Sequence, residues 1–166
     1  MQFITYPKVN NKTNKSKVVE DYISHCKNWK TYQVPNSITS TVHESCHGIN
    51  SDIRNDLKVD NGYYLGQDRA ITFSNPKFTK DKVVAFIPQR FRGNRFNTYI
   101  IGQTEWNDQV LYIFDEWCAY CAGTDTAVDL NKIGNNQPQG TDIAFGPAEF
   151  TTYAIGVYLA AKKYDP

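Results

Sequence analysis

Between Pro35 and Asn55 the chain sets Ile38, Val42, Cys46, Ile49 and Ile53 at intervals of four, four, three and four. That rhythm is the helical repeat, and it puts all five side chains on one stripe. Pro35-Asn36-Ser37 supplies a start signal, and the turn-forming residues from Asn55 to Gly62 supply a stop. No proline interrupts the interval. The spacing predicts an amphipathic helix over about 36–54, buried along the stripe, and the rest of the fold has to cover that stripe. Inside it lies His43-Glu44-Ser45-Cys46-His47.

Other segments fall around this helix. With 166 residues the chain is read as one domain over 16–166, long enough to bury a sizeable core, preceded by a polar tail over 1–15. Ser16 is a good N-cap, and Val18, Val19, Tyr22, Ile23, Cys26 and Trp29 recur at helical spacing, so a helix is expected to about Lys30. From Gly62 to Gln103 the texture becomes β-branched and aromatic. Tyr63-Tyr64-Leu65, Ala70–Phe73, Val83–Ile87 and Phe96–Ile101 read as three or four short strands, although Thr79 could instead cap a short helix at Val83. Asn107-Asp108 caps a helix expected over about 109–122. A loop is expected over 123–146, and a last helix opens at Gly146-Pro147. The fold class is therefore α+β, with helices packed on a small antiparallel sheet.

Composition excludes several classes. A formal net charge of +1 gives no field that would draw nucleic acid or an anionic membrane. No apolar run is long enough to span a bilayer. The N-terminus shows no basic region followed by an apolar stretch, and the asparagine and tyrosine content leans towards a secreted or periplasmic protein. Cys26, Cys46, Cys118 and Cys121 are too few for a disulfide scaffold and are not spaced as paired CxxC zinc ligands. On apolar helix faces they read as small buried hydrophobes, with a disulfide from Cys46 to Cys118 or Cys121 open in an oxidising compartment.

The chemistry gathers on the helix over 36–54. Residues four apart on a helix share a face, so His43 and His47 can aim two imidazoles at one point. Zn2+ accepts neutral imidazole and keeps an open position for water in catalytic sites. Glu44 is rotated by about 100° from His43, where it flanks the metal and can take a proton from water. His25, the remaining histidine, reads as a partly exposed helix residue. Among the carboxylates, Glu20 and Glu105 stand in polar surroundings, whereas Glu116 is embedded in Val110-Leu111-Tyr112-Ile113-Phe114-Asp115-Glu116-Trp117-Cys118-Ala119-Tyr120. A carboxylate among so many apolar residues needs compensation that a cation would supply. Glu116 is therefore the expected third ligand, with Ala119 small enough to admit a second helix. Asp115 is the candidate acceptor that orients a ligand histidine. Glu149 is the alternative ligand, although near Pro147 it can simply complement a helix N-terminus.

With this pairing, His43-Glu44-Ser45-Cys46-His47 and Glu116-Trp117-Cys118-Ala119-Tyr120 make the chain resemble the gluzincins, the glutamate-ligand branch of the HExxH zinc metallopeptidases. The resemblance covers two short helices. It implies a zincin-like fold, zinc held by His43, His47 and Glu116, water activated by Glu44, and hydrolysis of peptide bonds in a peptide or protein substrate by a monomer. The sequence around Glu116 is not Asn-Glu-x-x-Ser-Asp, and the strand-rich stretch follows the active helix. The resemblance therefore implies a mechanism and no substrate preference. A donor for the developing oxyanion is also required. Tyr120, one turn beyond Glu116, is the first candidate, and Arg90, Arg92 and Arg95 are the second.

Two other functions compete. Trp117-Cys118-Ala119-Tyr120-Cys121 is a W-C-x-x-C match like the redox corner of thioredoxin-like proteins. Only 45 residues follow Cys121, too few and too loop-like for the strands such a fold needs. A non-catalytic binding protein that keeps zinc for folding is the other.

Overall fold

The computed structural model describes residues 1–135 and 141–166. It is α+β, with a three-stranded antiparallel sheet among the described residues. In chain order the elements are β1 (Gln2–Thr5), α1 (Lys17–His25), α2 (Ile38–Leu57), β2 (Asn61–Gly66), β3 (Arg69–Phe73), α3 (Lys80–Val84), α4 (Tyr112–Lys132) and α5 (Thr141–Tyr164).

Helix α2 forms where the stripe predicts. The Ser37 hydroxyl accepts from the Ser40 amide at 3.2 Å, satisfying one of the orphan donors of the first turn. Lys58 ends the helix in the left-handed conformation, φ +55°. Val42, Cys46, Ile49 and Ile53 are completely buried, and each aliphatic one contributes about 1.5–3 kcal/mol by leaving water. The stripe lies against α1, β2 and above all α4. Helices α2 and α4 meet along a seam of small residues: Ala119 and Ala122 are buried, and the Cα of Gly123 faces the Thr39 carbonyl and His43 Cβ. A methyl at Gly123 would meet both in ordinary contact, so only a residue larger than alanine there would push apart the two helices that carry the expected ligands.

The sheet has the order β1-β3-β2. Its strands alternate between two halves of the core. Tyr63 and Ile71 face one half, with α3, α5 and the start of α4; Tyr64 and Ala70 face the other, with α1 and α2. Strand β1 corrects the expectation of a tail over 1–15. Gln2 to Thr5 pair with Thr72 to Arg69, and Tyr6 is buried. A four-residue strand carries too little periodicity to be told from a tail; the open edge of β3 decides it.

Five further expectations change or are decided. Helix α1 stops at His25, and Trp29–Tyr32 form a separate single turn. The Val83 segment takes the helical alternative, as α3. Phe96–Gly102 is not a strand but a wide π-type turn, in which the Gln103 amide reaches back to the Thr98 carbonyl. Lys80, buried under the Tyr112 ring, donates to the Tyr99 and Gln103 carbonyls and so satisfies the end of that turn. Of the loop expected over 123–146, residues 123–132 continue α4, and 136–140 lie outside the described residues. Pro147 is not the first residue of the last helix but lies inside α5. No helix among the described residues is long and apolar enough to cross a membrane.

Candidate metal centre

The α2–α4 seam brings His43, His47 and Glu116 together. One donor atom from each lies within 4.8 Å of the others. Glu116 Oε2 is 3.9 Å from His43 Nε2 and 3.7 Å from His47 Nε2. Tetrahedral zinc with bonds of about 2.0–2.1 Å separates its ligand atoms by about 3.3 Å. The two carboxylate–imidazole separations exceed that by roughly half an ångström. Glu116 Oε2 is buried and accepts no hydrogen bond among the described residues. Burial pushes the Glu116 carboxyl up to about 7, with Asp115 and Glu44 adding to the rise and His47 opposing it. An uncompensated carboxylate oxygen facing two imidazoles fits a divalent cation.

The orientation of His47 is fixed from behind. Its Nδ1 lies 2.8 Å from Asp115 Oδ1, which leaves Nε2 turned towards Glu116. Asp115 in turn accepts from Asn50 Nδ2 at 2.7 Å and from Arg54 at 2.9 Å. Burial works to raise the Asp115 carboxyl, but His47, Asn50 and Arg54 hold it below the usual carboxylate range. Burial also works to lower the His47 imidazole, and Asp115 outweighs it, so His47 titrates above its ordinary value. Asn50 is completely buried and spans three elements, because its Oδ1 also accepts the Tyr64 amide of β2 at 2.7 Å.

Asn50 and Arg54 do not figure in the sequence reading, yet a signal is present: they follow His47 by three and seven residues, on its own face of α2. Tyr99 is the other absentee. The π-type turn carries its hydroxyl to 3.1 Å from that of Tyr120. Tyr120 stands edge-on to the His43 ring at 4.8 Å and stacks on Phe150 at 4.9 Å. Glu44 is exposed on the solvent side of α2, and its charge is felt at both Glu116 and His47.

Several alternatives are placed elsewhere. Glu149 pairs with Arg95 at 3.1 Å and is not in the histidine group. Of the arginines, Arg95 lies over the Tyr120 ring, Arg92 donates to the Ile87 and Val84 carbonyls, and Arg90 covers its neighbour Phe91. His25 is wholly buried rather than partly exposed, and it sits in a separate group with Asp21 and Asp68. All four cysteines are free thiols. Cys118 lies well inside α4 rather than at its N-terminus, and burial pushes its thiol up. A redox thiol needs the opposite on both counts.

The chain was compared with protein-family models, curated proteins and solved structures, and it matches none of them.

Proposed function

We propose that this protein is a zinc-dependent hydrolase of zincin-like fold that cleaves peptide bonds, with His43, His47 and Glu116 as metal ligands. The observation that carries the reading is the convergence of these three donors around a buried Glu116 oxygen that accepts no hydrogen bond, with His47 oriented by Asp115. Bound there, Zn2+ would supply Lewis acidity towards a carbonyl oxygen and lower the pKa of water. The chain's own residues do the rest. Glu44 takes the proton of the attacking water as its oxygen bonds to the carbonyl carbon. It then hands that proton to the departing amine as the carbon–nitrogen bond breaks. Tyr120, steadied by Tyr99, Phe150 and Arg95, is the hydroxyl available to the developing oxyanion. Asp115, Asn50 and Arg54 hold His47 in place and touch no reacting atom. The substrate is a peptide or protein, met by a monomer.

Metal content by mass spectrometry on wild type and Glu116→Ala tests the centre: one zinc per chain is expected, lost or strongly weakened in the variant. Glu44→Gln should retain that zinc while turnover of an unstructured protein such as casein falls about 10²–10⁴-fold. A wild-type chain that takes up no zinc sinks the proposal. Zinc bound equally by wild type and Glu44→Gln, with no hydrolysis by either, would leave a purely structural ion.

A further inference from the structure

A second set of titratable side chains meets between α1 and the β2–β3 turn, and none of them belongs to the metal group. His25 Nδ1 lies 2.7 Å from the Asp21 carbonyl oxygen, 3.3 Å from Asp21 Oδ1 and 2.9 Å from the Tyr64 hydroxyl. Its Nε2 lies 2.9 Å from Asp68 Oδ1. A backbone carbonyl can only accept, so Nδ1 carries a hydrogen. Asp68 Oδ1 accepts no hydrogen bond among the described residues, so its contact with Nε2 is a close approach of charges and not a hydrogen bond. Two carboxyl groups within 3.3 Å of one buried ring favour its protonated form, the imidazolium. Burial works against that charge, but Asp21 and then Asp68 outweigh it, so the ring titrates above its ordinary value of 6.5.

The turn beside it is one that the chain adopts reluctantly. Gly66, Gln67 and Asp68 are consecutive left-handed residues, with φ of +81°, +55° and +60°. Glycine takes that conformation freely and aspartate tolerates it, whereas glutamine does not favour it. The turn is held from outside. The Gln67 amide donates to Asp21 Oδ2 at 2.9 Å, and the Asp68 amide donates to the Tyr64 hydroxyl at 3.1 Å. The Asp68 carbonyl accepts the Tyr6 amide at 2.7 Å, which ties the end of β1 to the same point.

We propose that His25 is the charged centre of a pH-sensitive clamp that fastens the β2–β3 turn and the N-terminal strand to α1. The groups that face it are Asp21 from α1, Asp68 from the turn, Tyr64 from β2 and the Tyr6 ring, 6.4 Å away after β1. Loss of that charge removes the attraction between the ring and Asp68, and the left-handed turn loses one of its anchors. The folded chain holds this proton more tightly than the unfolded chain does. The clamp is therefore complete below the ordinary value and is lost as pH rises through the higher folded-state value. The closed state belongs to mildly acidic conditions, the loosened hairpin to alkaline ones.

The test uses the full chain. The His25 ring is titrated by long-range nitrogen–proton NMR. Amide exchange at Gln67 and Asp68 is followed over the same pH range, corrected for intrinsic base catalysis. The ring should titrate above 6.5, and amide protection should fall with the same midpoint. A folded-state value one pH unit higher makes opening about tenfold more frequent at high pH than at low. Asp68→Asn, which keeps the shape and tolerates the left-handed backbone, should move both midpoints to lower pH together. A ring already neutral at mildly acidic pH, or protection that ignores its titration, overturns the clamp. Both wild-type measurements stand even if the variant does not fold, and neither depends on a bound metal.

Discussion

Replacing Asp115 by asparagine tests the frame of the proposed metal centre without opening a cavity. Three donors converge on this carboxylate: His47 and Asn50 on Oδ1, at 2.8 and 2.7 Å, and Arg54 on Oδ2, at 2.9 Å. Asparagine keeps one accepting oxygen and turns the other into a donor. If the oxygen stays with His47 and Asn50, the new NH₂ faces Arg54, donor against donor. The reverse orientation loses two bonds and is worse. The better choice forfeits one hydrogen bond to a charged group, worth about 1.5–3 kcal/mol. Arg54 is 31% exposed, so water recovers part of that loss and the lower end applies. At a urea slope of about 1–3 kcal/mol per molar, the unfolding midpoint of the chelator-treated protein should fall by roughly 1 M. Separately, a neutral amide makes His47 a weaker base than a carboxylate does, and outer partners of this kind change metal affinity about 10–100-fold, or roughly 1.4–2.7 kcal/mol. Competition against a chromophoric zinc chelator at neutral pH measures that part. A zinc affinity within about threefold of wild type would refute the claim that Asp115 sets His47 for the metal. An unchanged urea midpoint would refute the network itself.

Two further outcomes follow from packing and burial. A Cβ added at Gly146 would stand 2.2 Å from Tyr120 Cδ1, so Gly146→Ala must push that ring off Phe150 and His43, at a cost of about 1–3 kcal/mol; a thermal unfolding curve that coincides with wild type would show that the contact is not made. Burial pushes the Cys121 thiol from 9.0 up to about 11. At pH 8 its thiolate fraction is then about a hundredfold below that of an unperturbed thiol, and iodoacetamide should modify it about a hundredfold more slowly. Alkylation at the rate of a free thiol, read by mass spectrometry, would reopen the redox reading of the CAYC segment.

Local chemistry carried much of this protein. The stripe from Ile38 to Ile53 set α2 and its buried side. The four-residue interval from His43 to His47 fixed two imidazoles on one face before any partner was known, because helical geometry is local. The apolar company of Glu116 marked it as a carboxylate in need of compensation, and the structure places it beside both histidines. Tertiary structure decided the rest. Phe96–Ile101 has the side chains of a strand, yet it curls into a wide turn because a buried lysine from α3 collects its last carbonyls, and that turn delivers Tyr99 to Tyr120. The first residues read as a tail until β3 offers an open edge. His25 looks like a helix-surface residue until a left-handed turn forty residues later brings Asp68 against it. Asn50 becomes the link between α2, α4 and β2 only once all three are in place. Periodicity reports which face of a segment leaves water. It carries no information on which distant donor meets a particular acceptor, and in this chain those distant pairings orient the site.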